Sequence, residues 1–301
     1  MKTFSLFLRL SRPLFLGGGI LLYALGVGIA DYLGVTINWN IYLLGQAWVT
    51  LLQLSTHYFN EYHNAPADQD NKNRTILTGG SGMLGPGKLS RRVALLAGLA
   101  CLAVLASFTV ILISFAHPSP EVYLIMFIAF LGAFFYSTPP VRLEASGYGE
   151  LTATILTTFL LPAFAFGLQT GELHRLLAMT SFPLAALMMA MLLAFELPDY
   201  TNDLKYNKRT LMIRLGWQTG MGLHNILILS AFLILLLARF FGFPWFATLA
   251  GLLPLPVGLF QIWQMRSIAG GAKPNWTALT IVALSLFSLT AYLQAYTFWM
   301  N

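Results

Sequence analysis

Apolar residues run along this chain in long blocks, over 13–34, 40–61, 91–116, 121–138, 150–170, 181–198, 221–241, 244–262 and 275–299. A helix needs about 20 mostly apolar residues to cross a bilayer. At that depth every backbone polar group must be satisfied within its own segment, so blocks of this length predict helices. The pattern predicts an all-α polytopic membrane protein of nine transmembrane helices. Turns such as His117-Pro118-Ser119-Pro120 separate most of them, while two connections, 62–90 and 199–220, are longer and polar.

The basic residues test that count. With a cytoplasmic N-terminus, one face receives Lys2, Arg9 and Arg12, then Lys72, Arg74, Lys88, Arg91 and Arg92, then Arg142. It also receives Lys205, Lys208, Arg209, Arg214, Arg266 and Lys273, leaving only Arg175 and Arg239 of the 17 basic residues for the other face. Lys and Arg concentrate on the cytoplasmic side of membrane proteins, and a wrong helix count would scramble the asymmetry. The two long polar connections then share the cytoplasmic face. One follows the second helix and the other the sixth, which suggests a single domain over 1–301 built as a pseudo-repeat, 1–149 and 150–262, with a ninth helix added.

Composition agrees: 57% of residues are hydrophobic and 9% charged, with mean hydropathy +0.70. A soluble domain carries about a quarter charged residues, so a soluble enzyme, a disordered chain and a disulfide scaffold are excluded. Cys101 is the one cysteine and has no partner for an intrachain bridge. The surplus of basic over acidic residues, 17 to 11, reads as loop topology and attraction to anionic lipid rather than nucleic-acid binding. The first apolar run is too long for a cleavable signal peptide. With no transit peptide evident, a prokaryotic plasma membrane is expected.

Eight of the acidic residues lie at or near the cytoplasmic helix ends. The first group runs Asn60-Glu61-Tyr62-His63-Asn64-Ala65-Pro66-Ala67-Asp68-Gln69-Asp70, and the second Glu196-Leu197-Pro198-Asp199-Tyr200-Thr201-Asn202-Asp203. Helical residues three and four apart share a face, so Gln53, His57, Asn60 or Glu61, and Asn64 form a polar stripe. Asp68 extends it if the helix survives Pro66. Glu196, Asp199 and Asp203 likewise share a face. Ionisable groups at such depth usually face a cavity or one another. Opposed carboxylates repel unless a cation lies between them, and all-oxygen ligands favour Mg²⁺, which typically bridges to substrate phosphates. Lys72 and Arg74 follow the first group, and Lys205, Lys208 and Arg209 the second. Carboxylates, Mg²⁺ and flanking cations at the mouth of an apolar bundle suit a lipid-tailed diphosphate in a cavity open to the cytoplasmic face.

At these residues the chain resembles the UbiA superfamily of membrane prenyltransferases. The family's first motif, N-D-x-x-D-x-x-x-D, corresponds to Asn60-Glu61-x-x-Asn64-x-x-x-Asp68. Its second, D-x-x-D-x-x-x-D with a G-K-R-T-L-like run, corresponds to Glu196-x-x-Asp199-x-x-x-Asp203, then Asn207-Lys208-Arg209-Thr210-Leu211. Tyr136-Ser137-Thr138-Pro139-Pro140 and Gly147-Tyr148-Gly149-Glu150 resemble two further family segments. Asn73-Arg74-Thr75 with Thr78-Gly79-Gly80-Ser81-Gly82 resembles the branch that prenylates 1,4-dihydroxy-2-naphthoate for menaquinone. The chain departs from the pattern at Glu61 and Glu196, where the charge is kept on a longer arm, and at Asn64, where a carboxylate is lost. Asp70 adds a carboxylate beyond the motif, and Glu144 stands where many relatives are neutral or basic.

The resemblance implies a Mg²⁺-dependent transferase that moves a polyprenyl group from its diphosphate to an aromatic acceptor. It implies metal binding by Asn60, Glu61, Asn64, Asp68, Glu196, Asp199 and Asp203, with Asp68, Asp199 and Asp203 central to catalysis. Lys72, Arg74, Lys208, Arg209 and, more weakly, Arg142 would bind diphosphate by charge-assisted hydrogen bonds. Breaking the carbon–oxygen bond leaves an allylic cation that an aromatic face stabilises. Tyr136 is the first choice for that face, with Tyr58 and Phe195 as alternatives. His57 reads as a hydrogen-bonded core histidine sooner than a base, Gly17-Gly18-Gly19 as helix packing, and Gly79–Gly82 as a loop over the site. Met188, Met189 and Met191 read as filler, and no zinc or haem spacing occurs. The acceptor could instead be 4-hydroxybenzoate, homogentisate, a tetrapyrrole or a glycerol phosphate. An ion-coupled transporter and a non-catalytic prenyl-lipid-binding relative are the alternatives of other classes. Membrane lipid is an expected partner; nucleic acid and an obligate protein partner are not.

Overall fold

The computed structural model describes residues 2–301. Among them helices are the only regular elements, apart from one isolated bridge between Leu84 and Leu89. A short helix, α1 (Lys2–Leu10), turns at Arg12, whose φ of 50° is left-handed, into α2 (Pro13–Tyr32). Pro13 suits that first turn because its missing N–H would be unpaired there in any residue. The Asn38 side chain accepts hydrogen bonds from the Asn40 and Ile41 amides and starts α3 (Trp39–Asp70), as N-cap residues do. Then follow α4 (Arg91–Ala116) and α5 (Pro120–Ser137). Next, α6 (Gly149–Thr154) and α7 (Leu161–Thr170) form one rod through a π-helical stretch, Ile155–Leu160, that ends two positions before Pro162. The chain continues through α8 (Arg175–Lys205), α9 (Leu211–Leu215), α10 (Trp217–Ala238), α11 (Trp245–Leu252), α12 (Leu255–Ala269) and α13 (Trp276–Trp299).

Eight helical rods are long and apolar enough to cross a membrane: Pro13–Tyr32, Arg91–Ala116, Pro120–Ser137, Gly149–Thr170, Arg175–Lys205, Trp217–Phe241, Trp245–Ala269 and Trp276–Trp299. The predicted second span, α3, has 32 residues but falls short on apolarity: Asn40, Gln46 and Gln53 interrupt its uncharged N-terminal half, and its C-terminal half carries the first acidic motif. The fold is therefore the expected all-helical membrane bundle, with eight apolar spans and one long polar helix among them.

Two boundaries differ from expectation. The polar connections were expected to begin at 62 and 199, yet α3 runs on to Asp70 and α8 to Lys205. Pro66 lacks the N–H that would bond the Tyr62 carbonyl one turn back. The Arg91 Nε donates to that carbonyl at 2.5 Å and its guanidinium lies over the Tyr62 ring, so the freed acceptor is satisfied and the helix persists. Two further prolines, Pro183 and Pro198, are carried inside α8.

Helix α8 is the most deeply buried rod, packed along α10 and α13, while α2 lies against α7 and α13 and α3 against α4. One apolar core gathers around α8, α10 and α13, including Leu187, Phe232 and Phe287. A second gathers around α2, α3 and α7, including Tyr23, Trp48 and Phe164. Large apolar side chains such as Leu96, Phe115 and Phe240 face outward, as a hydrocarbon environment allows. Between the two cores the walls of α2, α3, α5, the α6–α7 rod, α8 and α13 enclose a chamber.

Candidate active site

The chamber has a volume of about 410 Å³. Its deep walls are apolar, from side chains including Leu22, Trp48, Leu52, Phe164 and Met188, and its other end is lined by ionisable groups. The α3 stripe forms one polar wall, with Gln53, His57, Asn60, Asn64 and Asp68 each one turn beyond the last. The choice between Asn60 and Glu61 is thus resolved for Asn60, and the continuation of the helix past Pro66 brings Asp68 onto the same face. Opposite stand Glu196 and Asp199 from α8. The tips of these two helices are bonded directly. Asn71 Nδ2 donates to Asp199 Oδ1 at 2.6 Å, Asn202 Nδ2 to the Ala67 carbonyl at 3.0 Å, and Lys205 Nζ to Asp70 Oδ2 at 2.5 Å.

Other expected residues stand apart from the chamber wall. Glu61 is buried, and both its oxygens are taken: Oε1 accepts from Arg12 Nε at 2.8 Å and the Ser81 amide at 2.7 Å, and Oε2 accepts from the Ser81 hydroxyl at 2.7 Å. The longer Glu arm reaches out to pin the α1–α2 elbow and the 71–90 loop. Asp203, only 6% exposed, lies 3.8 Å from Lys208 Nζ. Lys208 does line the chamber, whereas Lys72, Arg74 and Arg209 are exposed. Lys72 and Arg74 border a separate surface hollow with Asp70 and Lys88. Arg142 lies 3.7 Å from Glu144. Asp70 turns to Lys205 and Tyr206. Of the aromatic candidates, Tyr136 and Phe195 line the chamber, while Tyr58 stacks on Phe7 and shares a hydrogen bond with Ser11 at 2.6 Å. His57 contacts the Ser11 carbonyl through Nδ1 at 3.2 Å.

The loop over the site is held by glycine geometry. Leu77, Thr78, Gly79 and Gly80 border the chamber, and Gly79 and Gly80 both have φ of +74°, a region that side chains disfavour. A Cβ on Gly80 would collide with the Asp68 carboxylate.

Several chamber groups carried no individual site role on sequence grounds. Arg12 reads only as a topology marker, and the Arg12-Pro13 break that turns it inward is the sole local signal. Glu144 and Glu150, both buried, come from the turn and helix after α5. Glu150 accepts from the Leu211 amide at 3.1 Å, and Glu196 from the Met212 amide at 2.9 Å, so the start of α9 ties both carboxyls down. Burial alone would pull the Lys208 pKa down. The carboxylates of Glu144, Asp203, Asp68 and Asp199 outweigh it and hold the ammonium above its ordinary range.

The pattern of the UbiA prenyltransferase family matches residues 20–277. The chain belongs to that family. A curated relative, the 1,4-dihydroxy-2-naphthoate octaprenyltransferase of Mycobacterium tuberculosis, is 27% identical over 282 residues, covering 91% of this chain and 90% of its own. A solved UbiA homologue from Archaeoglobus fulgidus, bound to GPP and Mg²⁺, has a TM-score of 0.65 at 17% identity and covers 98% of this chain and 100% of its own. A digeranylgeranylglyceryl phosphate synthase structure has a TM-score of 0.61 at 16% identity, covering 97% of this chain and 99% of its own. At these identities the structures establish a shared fold.

The donor set of this UbiA-family chain fits a divalent cation shared with a phosphate ligand. Among the described residues no three His, Cys, Asp or Glu groups stand at spacing for one ion. Mg²⁺, however, usually takes only one or two carboxylates, with waters and substrate phosphates completing its shell. Buried oxygens of Asn64 (Oδ1), Glu144 (Oε1) and Glu150 (Oε2) lack any hydrogen-bond partner, which is costly in a buried site unless a ligand supplies one.

Proposed function

We propose that this protein transfers a polyprenyl group from a polyprenyl diphosphate to an aromatic acceptor, 1,4-dihydroxy-2-naphthoate, in menaquinone biosynthesis. The charge balance of the chamber carries the proposal. Asp68, Glu144, Glu150, Glu196 and Asp199 line its polar end, against only Arg12 and Lys208 as cations, and Arg12 is already paired with Glu61 at 2.5 Å. A diphosphate brought alone to such a wall would be repelled. Divalent cations between carboxylates and phosphates reverse the sign of that interaction. The apolar depth beyond supplies room for an isoprenoid tail, and the curated relative supports the naphthoate acceptor.

In this assignment Asn60, Asn64 and Asp68 on one side, and Glu196, Asp199 and the adjoining Asp203 on the other, hold the cation-bound diphosphate. Mg²⁺ supplies positive charge to the departing diphosphate. Lys208, which lines the chamber, would donate a charge-assisted hydrogen bond to it. Tyr136 and Phe195 present aromatic faces to the allylic cation. The apolar walls and the 77–80 loop segment keep water from quenching it. The bias of Lys and Arg supports a cytoplasmic N-terminus, with the acidic tips on that side.

Membranes containing the protein, given labelled polyprenyl diphosphate, a panel of acceptors and either Mg²⁺ or chelator, test the assignment. Metal-dependent prenylated naphthoate is expected. Product only with 4-hydroxybenzoate or another acceptor would overturn the acceptor assignment. Diphosphate binding without turnover, or proton-coupled uptake without product, would overturn the enzyme itself.

A further inference from the structure

We propose that Glu144 supplies the carboxylate that the first acidic motif lacks at Asn64, and that it holds the divalent cation on the α3 side of the chamber. The proposal rests on the diphosphate chemistry above. Asn64 is 4% exposed, and its Nδ2 donates to Glu144 Oε2 at 2.8 Å. Asn60 Nδ2 donates to the same oxygen. Two amides thus fix one arm of a carboxylate that comes from another element. The other arm, Oε1, is buried with no hydrogen-bond partner, as is the Asn64 carbonyl oxygen Oδ1. One anionic and one neutral oxygen are therefore left free where Asn64 and Glu144 meet. Both are hard donors of the type Mg²⁺ accepts.

The local backbone is built to deliver Glu144 there. Arg142 adopts a left-handed φ of 46° and the chain then makes a tight turn over Leu143–Ala145. Gly149 lies so close to the Glu144 Cα that a Cβ would press on it at 2.6 Å. Two cations lie near this charge without capping the free oxygen: Arg142 approaches Oε1 to 3.7 Å, an ion pair beyond hydrogen-bond reach, and Lys208 is shared among Glu144, Asp203, Asp68 and Asp199. An aspartate at position 64 would face Glu144 as a like charge, whereas asparagine turns its N–H groups toward it. The change at Asn64 and the unusual acid at Glu144 are then one relocation of charge, from α3 to the turn after α5.

The test uses purified full-length protein with Mn²⁺ as a spectroscopic probe, titrated in the presence of a non-cleavable geranyl thiolodiphosphate. Glu144→Gln should weaken Mn²⁺ binding by about tenfold or more, in the range seen when groups supporting a metal site are removed. The double variant Asn64→Asp/Glu144→Gln returns the charge to α3 and should recover affinity to within about threefold of the native protein. Its charge equals that of the native chain, which separates loss of a ligand from loss of fold. Unchanged Mn²⁺ affinity in Glu144→Gln, with tight binding in the native protein, would overturn the role of Glu144 alone. So would a double variant no better than the single. A native protein that takes up no Mn²⁺ with the analogue would overturn this role and the diphosphate assignment together.

Discussion

The Asn71 amide donates to the Asp199 carboxylate at 2.6 Å and joins the loop just past α3 to the chamber face of α8. The two residues are 128 positions apart in sequence, yet they bring the tips of α3 and α8 together. The bond orients a carboxylate that faces the chamber, so its loss should act through Asp199. Asn71→Ala is expected to lower metal-dependent turnover by roughly tenfold to a hundredfold, the usual effect of removing a group that orients a metal ligand. Asp199→Ala and Asp203→Ala should each abolish product. Product formation and thermal melting of detergent-solubilised protein check both statements. Retained activity in the two aspartate variants would refute the α8 assignment.

Arg12 and Glu61 form a buried ion pair with Nη2 to Oε1 at 2.5 Å, and the side chains are 19% and 3% exposed. Removing one partner of such a pair leaves an uncompensated charge, at a cost of about 3–5 kcal/mol. Arg12→Ala should therefore lower the melting temperature strongly. The double variant Arg12→Met/Glu61→Leu should melt well above the single, because no charge is left stranded. Equal losses in both would show that packing, not charge, dominates there.

The all-helical membrane class was legible because apolar runs of bilayer length admit one backbone solution, whereas the count of nine was not: eight rods are apolar enough to span and α3 is not. The polar stripe on α3 was legible because its spacing matches the helical repeat. Two further things were not legible. The persistence of α3 past Pro66 depends on Arg91, which lies 25 residues on and satisfies the freed Tyr62 carbonyl. The roles of Arg12 and Glu144 depend on how distant segments fold over α3, and periodicity is silent about contacts between elements. Conversely, Lys72 and Arg74 follow the first motif closely in sequence but lie outside the chamber, since a loop carries them away from it.

Gly80 combines a φ of +74° with an Asp68 carboxylate lying where a Cβ would be. Gly80→Ala should cost about 1–2 kcal/mol in backbone strain and displace Asp68. Activity should fall by on the order of tenfold or more, since misplaced catalytic groups act steeply on rate. Gly17→Ala, where the added methyl meets open space, should leave activity near native. Initial rates of the two variants at saturating Mg²⁺ decide the point, and equal rates would count against the packing of the 77–80 segment on Asp68.

Lys208 is half-buried among carboxylates that keep it protonated above its ordinary range. Its folded-state pKa is raised, so its contribution to stability is full below the unfolded value and fades only as pH rises through the folded one. Melting temperature should therefore show no loss from this group between neutral pH and about 10. Lys208→Gln should remove the contribution at neutral pH, raise KM for the diphosphate, and leave a protein whose stability depends more steeply on Mg²⁺. Melting curves with and without the cation, at pH 7 and 10, read out each part.

Tyr136 and Phe195 both line the chamber, so the ring, rather than the phenol hydroxyl, is the feature expected to matter at Tyr136. A cation held over an aromatic face gains about 0.5–2 kcal/mol, or roughly twofold to thirtyfold in rate. Tyr136→Phe should keep most of the activity, whereas Tyr136→Leu should lose that factor. A less stabilised cation in a looser chamber should also meet water more often. The fraction of isoprenoid released as free alcohol should then rise in Tyr136→Leu, measured by separating labelled alcohol from prenylated acceptor. A Tyr136→Phe variant as impaired as Tyr136→Leu would assign the role to the hydroxyl and remove Tyr136 from cation stabilisation.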